Sequence, residues 1–211
     1  MKYGAIITAG GSSVRFGSNK LLEKINGKTI IEYSVEAFLK TNIDEIVVCG
    51  YGYLKELISD SKIRLINGGA TRQESVYNGL QEINCDYVLI HDAARPMITP
   101  EIIEKVKKEV VEKKAVSVMT KTIDTIKEVD ENGKIIKTID RSKLYNTQTP
   151  QAFEYKLIKS AHEKLKGQNY TDDCGMLEAL GYDVYMVEGD YKNIKITYPS
   201  DIELAKIYLI G

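Results

Sequence analysis

A chain of 211 residues with 43% apolar composition is long enough to bury the core of one sizeable α/β domain. Twenty-nine basic and thirty acidic side chains nearly cancel, which argues against a general nucleic-acid binder with its basic excess. No apolar run approaches the ~18 residues of a membrane span, and the first residues lack the pattern of a signal peptide. Cys49, Cys85 and Cys174 are odd in number and far apart, so neither a disulfide framework nor a zinc site is indicated. They read as reduced thiols in a cytoplasmic protein. With only His91 and His162 present, a histidine-rich metal site is excluded.

The first stretch organises the rest. Ala5-Ile6-Ile7 reads as a buried strand that stops at Gly10-Gly11-Ser12-Ser13, where no side chain keeps a ligand from the backbone. Arg15 and Lys20 follow. A strand entering a glycine-rich turn gathers backbone N–H groups at one point, and two cations beyond it suit a polyphosphate. The competing reading is a tight strand-to-helix turn with solvated charges. The loop matches neither G-x-x-x-x-G-K-[ST] nor G-x-G-x-x-G. The second candidate strand, at 45–49, ends in Cys49-Gly50 without an acid for a ribose, so a dinucleotide site is unfavoured.

Strand-like and helix-like segments then alternate, the pattern of an α/β, Rossmann-like, mostly parallel sheet with helices on both faces. Residues 30–39 have helical spacing; 54–58 is a short helix; 63–66 is a strand. Thr71-Arg72-Gln73-Glu74 reads as a capping box opening a helix to about Glu82. Residues 87–90 form a strand ending at His91-Asp92-Ala93-Ala94-Arg95-Pro96. Thr99 and Pro100 cap a helix with an Ile102, Ile103, Val106, Val110 stripe. Residues 116–119 are a core strand. The run from Thr125 to Ile139 alternates around Asp130-Glu131-Asn132-Gly133, a hairpin with an open turn type. A two-stranded ribbon is marginal alone and must lie on its own body or on a second subunit. Helices at 155–165 and 172–180, a strand at 184–187, and a helix opened by a Ser200–Glu203 capping box complete a single domain, 1–211, with an arm at about 121–143.

Ligands of open α/β sheets bind beyond the carboxyl ends of the strands. Asp92, directly after an apolar strand, should face that crevice. One carboxylate beside a polyphosphate suits Mg²⁺, and a helix-capping or Arg95-paired aspartate is the alternative. Arg95-Pro96 reads as structural. No serine or cysteine has a plausible histidine partner, so covalent acyl chemistry lacks its parts. A phosphate monoester is already anionic at neutral pH and needs no base; cations that align two anions suffice. Arg72, Arg141 and Lys195 add to Arg15 and Lys20, although a single such residue is usually a solvated surface charge.

In order along the chain stand Ala9-Gly10-Gly11 with Arg15 and Lys20, the 68–76 segment GGATRQESV, HDAARP at 91–96, DTIK at 124–127, Asp140-Arg141, QTPQ at 148–151, Thr171-Asp172-Asp173, and NIKIT at 193–197. Together these resemble the 2-C-methyl-D-erythritol 4-phosphate cytidylyltransferases. The resemblance implies that CTP and methylerythritol phosphate give the cytidine diphosphate product and pyrophosphate, with Mg²⁺, in a homodimer. By position it implies that Arg15 and Lys20 stabilise the α-phosphate and that Asp92 is the metal ligand. It also implies that Ala9, Gly10, Gly11, Gly68, Gly69, Ala70 and Ser75 hold the cytidine. Arg141 and Lys195 would hold the substrate phosphate, with Thr125 nearby, and the arm would carry Thr125 and Arg141 into the partner's site. The chain departs from the family pattern at Ser13, where a second glycine is common, and in the short Arg15–Lys20 spacing with Asn19 before the lysine. A ribitol-5-phosphate cytidylyltransferase and a non-catalytic nucleotide binder on the same scaffold are the alternatives; Ala93-Ala94 and Thr171–Asp173 look more like the methylerythritol enzymes.

Overall fold

The computed structural model describes residues 1–11, 16–17 and 19–210. Among these the chain runs β1 (Tyr3–Thr8), β2 (Lys24–Ile25), β3 (Lys28–Thr29), α1 (Ile30–Leu39), β4 (Glu45–Gly50), β5 (Ile63–Asn67) and α2 (Arg72–Glu82). Then follow β6 (Tyr87–Asp92), α3 (Pro100–Lys113), β7 (Ala115–Lys121), β8 (Lys127–Val129), β9 (Ile135–Thr138) and β10 (Tyr145–Glu154). The chain closes with α4 (Tyr155–Lys164), α5 (Asp173–Ala179), β11 (Tyr185–Glu188) and α6 (Ser200–Ile210).

Seven strands form one sheet in the order β11-β7-β10-β6-β1-β4-β5. Only β10 is antiparallel to its neighbours. The sheet is mostly parallel, as expected. Its central strands are covered on both faces, which is why they read as unbroken apolar runs. Alternate residues divide between two cores. Ala5, Ile7, Ile46, Val48 and Leu89 pack with α1, α3 and α6, whereas Ile6, Val47, Val88, Ile90 and Phe153 pack with α2, α4 and α5.

Several expectations shift in detail. The segment expected as a helix at 54–58 is a 3₁₀ turn over Gly52–Glu56. The strand expected to stop at Ile90 continues to Asp92, because it pairs with β1 as far as Thr8↔Asp92. The small hairpin of β2 and β3 and the whole of β10 were not expected. At α2, Thr71 caps as anticipated, accepting the Glu74 N–H at 3.1 Å. The Glu74 carboxylate, however, takes the N–H of Ala70 (2.7 Å) and not that of the cap residue. At α6 it is Asp201 that accepts the Thr197 and Tyr198 N–H groups, at 2.7 and 2.8 Å.

The arm leaves the sheet where β7 and β10 are still paired, at Lys121↔Tyr145. Its tip closes by a Gly133 N–H to Asp130 C=O bond of 3.0 Å, with Gly133 at φ +81°. This left-handed residue is the reason for glycine at the turn. Beyond the sheet, β8 and β9 pair only with each other.

Candidate active site

The order of the strands reverses direction between β1 and β6, so their carboxyl ends flank a crevice at the switch point. A cavity of about 400 Å³ opens there, lined by the end of β1 and the following glycines, by Lys20 and Tyr51, by the start of α2, and by Asp92 and Lys195. Its floor is backbone. Ala9 N–H donates to Cys49 C=O at 2.8 Å. Gly69 N–H donates to Ser75 Oγ (2.9 Å), and Ser75 Oγ–H donates to Thr71 C=O (2.9 Å). A Cβ on Gly69 would lie 2.3 Å from Glu74 Cβ and 2.9 Å from the Glu74 carbonyl carbon, so only glycine lets the loop fold onto the helix start. Gly68 packs behind it, close to Gly10 Cα and Ser75.

Asp92 is 6% exposed and ringed by cations. Lys195 Nζ donates to Oδ2 at 2.8 Å, Arg72 Nε lies 3.4 Å from Oδ1, and Arg95 Nε lies 3.8 Å from Oδ2. Thr8 Oγ1 adds a 3.3 Å hydrogen bond to Oδ1. Burial by itself would push this carboxyl up; Arg72, Lys195 and Arg95 outweigh it and hold the group far below the usual carboxylate range. Asp92 is therefore a firm anion inside a cationic pocket.

The lysine is placed by a stapled loop. Ile196 N–H donates to Ala94 C=O at 2.8 Å, Arg95 Nη1 donates to Asn193 C=O at 2.8 Å, and Asn193 Nδ2 donates to Gln148 Oε1 (3.1 Å) and Thr149 C=O (3.0 Å). Lys20 Nζ donates to Ile196 C=O at 2.7 Å, which brings the two lysines to one segment. Behind Asp92, the hydroxyl of Thr149 accepts the Asp92 N–H (3.1 Å) and lies 2.9 Å from His91 Nδ1. Burial lowers the fully enclosed His91 to about 3, so its imidazole is neutral and Thr149 donates to Nδ1.

A second cavity of about 280 Å³ adjoins the first. Arg72, Asp92 and Lys195 line both, and Arg95, residues 147–149, Gln151, Thr171 and Asp172 complete the second. Two chambers thus meet at one carboxylate and its cations, an arrangement able to hold two anionic groups side by side.

Of the residues expected at the site, Ala9, Gly10, Gly11, Lys20, Gly69, Ala70, Ser75, Asp92 and Lys195 share the first cavity. Arg15, with Ser13, lies outside the described residues. Thr125 and Arg141 are exposed on the arm and line neither cavity; the Arg141 guanidinium donates to the Ile123 carbonyl. Sequence reasoning counted Arg72 among the cations without placing it and offered Arg95 as a structural partner of Asp92; both guanidiniums converge on Asp92. It gave no role to His162, and it named Asp173 only within the Thr171–Asp173 segment; both stand behind Arg72.

No group of three or more His, Cys, Asp and Glu side chains forms a metal cage among the described residues. A hard divalent cation bound mainly by phosphate oxygens and water needs only one protein carboxylate, and the ionised Asp92 fits that need. Its Oδ2 is engaged by Lys195, whose ammonium would have to move aside.

A model of the family described as 2-C-methyl-D-erythritol 4-phosphate cytidylyltransferase matches residues 4–210. A relative of that description from Caldanaerobacter subterraneus subsp. tengcongensis is 39% identical, with 99% of each chain covered. Another from Clostridioides difficile is 43% identical over 97% of this chain and 92% of the relative. Among solved structures, the 4-diphosphocytidyl-2C-methyl-D-erythritol synthase of Anaerococcus prevotii superposes with a TM-score of 0.88 at 34% identity, covering 100% of this chain and 96% of that one. The 2-C-methyl-D-erythritol 4-phosphate cytidylyltransferase of Thermus thermophilus gives 0.85 at 29% identity over the whole of both chains. Sequence and fold agree along the entire length, and the chain belongs to the 2-C-methyl-D-erythritol 4-phosphate cytidylyltransferase family.

Proposed function

We propose that this chain is a CTP-dependent cytidylyltransferase that joins CTP to 2-C-methyl-D-erythritol 4-phosphate, giving 4-diphosphocytidyl-2-C-methyl-D-erythritol and pyrophosphate. The observation that carries this reading is Asp92, set among Arg72, Arg95 and Lys195 where two cavities meet. Cytidine occupies the first cavity, against the backbone of Ala9–Gly11 and Gly68–Ala70 and the Ser75 hydroxyl. Its phosphates reach Lys20, and the family resemblance assigns Arg15 as the second cation. The substrate phosphate enters by the second cavity, towards Lys195. A phosphate oxygen of that monoester attacks the α-phosphorus of CTP, the bond to the β-phosphate oxygen breaks, and pyrophosphate leaves. The nucleophile is already ionised, with a second pKa near 6, so no general base is required. The chain contributes alignment and charge: its cations hold two anions that repel each other and meet the charge growing on the pentavalent centre. When Mg²⁺ is bound, Asp92 holds it, and the ion neutralises triphosphate charge.

The arm is assigned to a second copy of the chain. Ile123, Val129, Ile135 and Ile136 are each more than half exposed on it, an apolar surface that a ribbon outside the sheet cannot cover alone. Packed against a partner, residues 121–143 would deliver Thr125 and Arg141 to the partner's substrate chamber. Body and arm are then one catalytic unit working as a homodimer. The buried free thiols, Cys49 and Cys85 pushed up to about 12 by burial, suit the reducing cytoplasm.

Pyrophosphate release tests the reading. CTP with methylerythritol phosphate should turn over, whereas ATP and GTP should not, because a backbone-lined base site leaves its polar groups unpaired against a wrong edge. Faster turnover with ribitol 5-phosphate would reassign the substrate, and equal turnover with purine nucleotides would remove the cytidine site.

A further inference from the structure

Behind Asp92 a chain of charges runs into the core. Arg72 is the first residue of α2, and its guanidinium bridges two acids: Nε faces Asp92 Oδ1 at 3.4 Å, and Nη1 donates to Asp173 Oδ2 at 2.7 Å. Asp173 is 1% exposed, and its other oxygen accepts from His162 Nε2 at 3.0 Å. His162 is 2% exposed, stacks against Tyr77, and has no partner for Nδ1. The Asp173 N–H is itself held by Gln151 Oε1 at 3.2 Å. Burial works against charge on Asp173, but Arg72 and the His162 hydrogen bond keep its carboxyl below the ordinary range. Among the described cations at the site, Lys195 is 40% exposed at its side chain, whereas Arg72 is 27% exposed and gripped from the buried side by a second carboxylate.

A buried ion pair is a weak stabiliser, since desolvation offsets most of its attraction. What this one supplies is position. Arg72 lines both cavities, so its guanidinium stands at their junction. Asp92 alone could not fix it there, because that carboxylate is shared with Lys195 and Arg95 and is the one that would hold a divalent cation.

We propose that Asp173 and His162 are positioning residues that lock Arg72 at the junction of the two cavities, where it is a catalytic residue: the fixed cation between the nucleotide α-phosphate and the incoming phosphate. His162 orients the Asp173 carboxylate, Asp173 orients the guanidinium, and Arg72 keeps its place whatever binds Asp92. The catalytic part rests on the cytidylyltransferase reading above. The anchoring part does not.

The test compares two substitutions of similar size at the buried histidine. His162→Gln keeps a donor near the Nε2 position, and His162→Met does not. Turnover with CTP and methylerythritol phosphate should fall roughly 10- to 100-fold in His162→Met, as expected when a catalytic group is displaced by about an ångström. The KM for CTP should stay within about two-fold, and His162→Gln should remain near wild type. Asp173→Asn provides the same comparison should His162→Met fail to fold. A second readout needs no turnover: hydrogen exchange at Arg72 Nε–H, followed by ¹⁵N NMR and assigned among five arginines by its loss in Arg72→Lys. Exchange should be slow in the wild type and in His162→Gln, and at least ten-fold faster in His162→Met. Equal turnover and equal exchange in the Met and wild-type proteins would overturn the proposal. So would equal losses in the Met and Gln variants, which would mark His162 as packing only. If the wild type itself does not turn over these substrates, the functional reading fails, while the exchange rates still decide whether Arg72 is anchored.

Discussion

The sharpest prediction concerns acid and His91. The ring is fully buried, tilted against Phe38 at a centroid distance of 5.2 Å, and bonded through Nδ1 to Thr149, with Nε2 3.4 Å from the Arg95 carbonyl. Burial holds its pKa at about 3 against an ordinary 6.5; neighbouring Asp92 favours the charged ring and Arg95 opposes it. Between pH 7 and pH 5 the unfolded chain therefore binds a proton at this site that the folded chain does not. Stability must rise with pH across that window and be lost on acidification, approaching ~1.4 kcal/mol per pH unit below 6.5. Integrated from pH 7 to pH 5, the loss is about 2 kcal/mol. For a chain of this size that corresponds to a fall of ~4–8 °C in Tm. Calorimetry or denaturant titration of the wild type and His91→Asn across this range measures it. The variant loses ring packing and should melt lower at pH 7, yet its acid slope should be shallower by one proton. Taking the difference of the two slopes removes the contribution of every other titrating group. Parallel slopes would refute a buried, neutral His91 that contributes to stability through linkage.

Three further outcomes follow from the site. Lys20→Ala should lower kcat by ~10²–10³-fold in a steady-state pyrophosphate assay, with a smaller change in the KM for CTP, because the lysine meets charge that grows in the transition state. Gly69→Ala should cost ~1–3 kcal/mol of stability through overpacking and raise the KM for CTP, since the added Cβ collides with Glu74 at the start of α2; urea melts and initial rates read both. An Arg141→Ala chain and a Lys195→Ala chain should each be nearly inactive, and subunit exchange between them should restore one intact site per heterodimer. No recovery after exchange shown by mass spectrometry would mean that Arg141 serves its own chain.

The parallel core was legible because its strands are buried on both faces and so spell out apolar runs such as Ala5-Ile6-Ile7. The hairpin was legible from Asn132-Gly133, and α3 from Thr99-Pro100 followed by its apolar stripe. Strand β10 was not. Its Gln148, Thr149 and Gln151 are buried polar residues, and Pro150 argues against a central strand. The structure reconciles these features: the register with β7 shifts between Thr147 and Gln151, so the proline sits in a bulge where no ladder N–H is needed. The buried amides bond to Asn193, Asp190 and Asp172, partners far away in sequence. The same limit applied at the site. Glycines and Asp92 announce themselves by local pattern, but the grip of Asp173 on Arg72 depends on α5 packing beside α2 through α4, and no local pattern carries that. The exposed arm yields its shape to sequence reasoning but not the surface it covers.

The crowding of cations on Asp92 has a consequence for encounter. The chain carries a net charge of −1, so its surface as a whole exerts little pull on an anion. Around the crevice, however, Lys20, Arg72, Arg95 and Lys195 outnumber Asp92, Asp172 and Asp173, and low-dielectric walls confine their field to the opening. A triphosphate drifting nearby is guided over the last Debye length, about 8 Å at physiological ionic strength, and largely ignored beyond it. Added salt should therefore slow capture of the nucleotide far more than it slows the bond-making step, because charges enclosed together are screened less than charges still in water. The protein is electrostatically quiet at a distance and strongly attractive at one doorway.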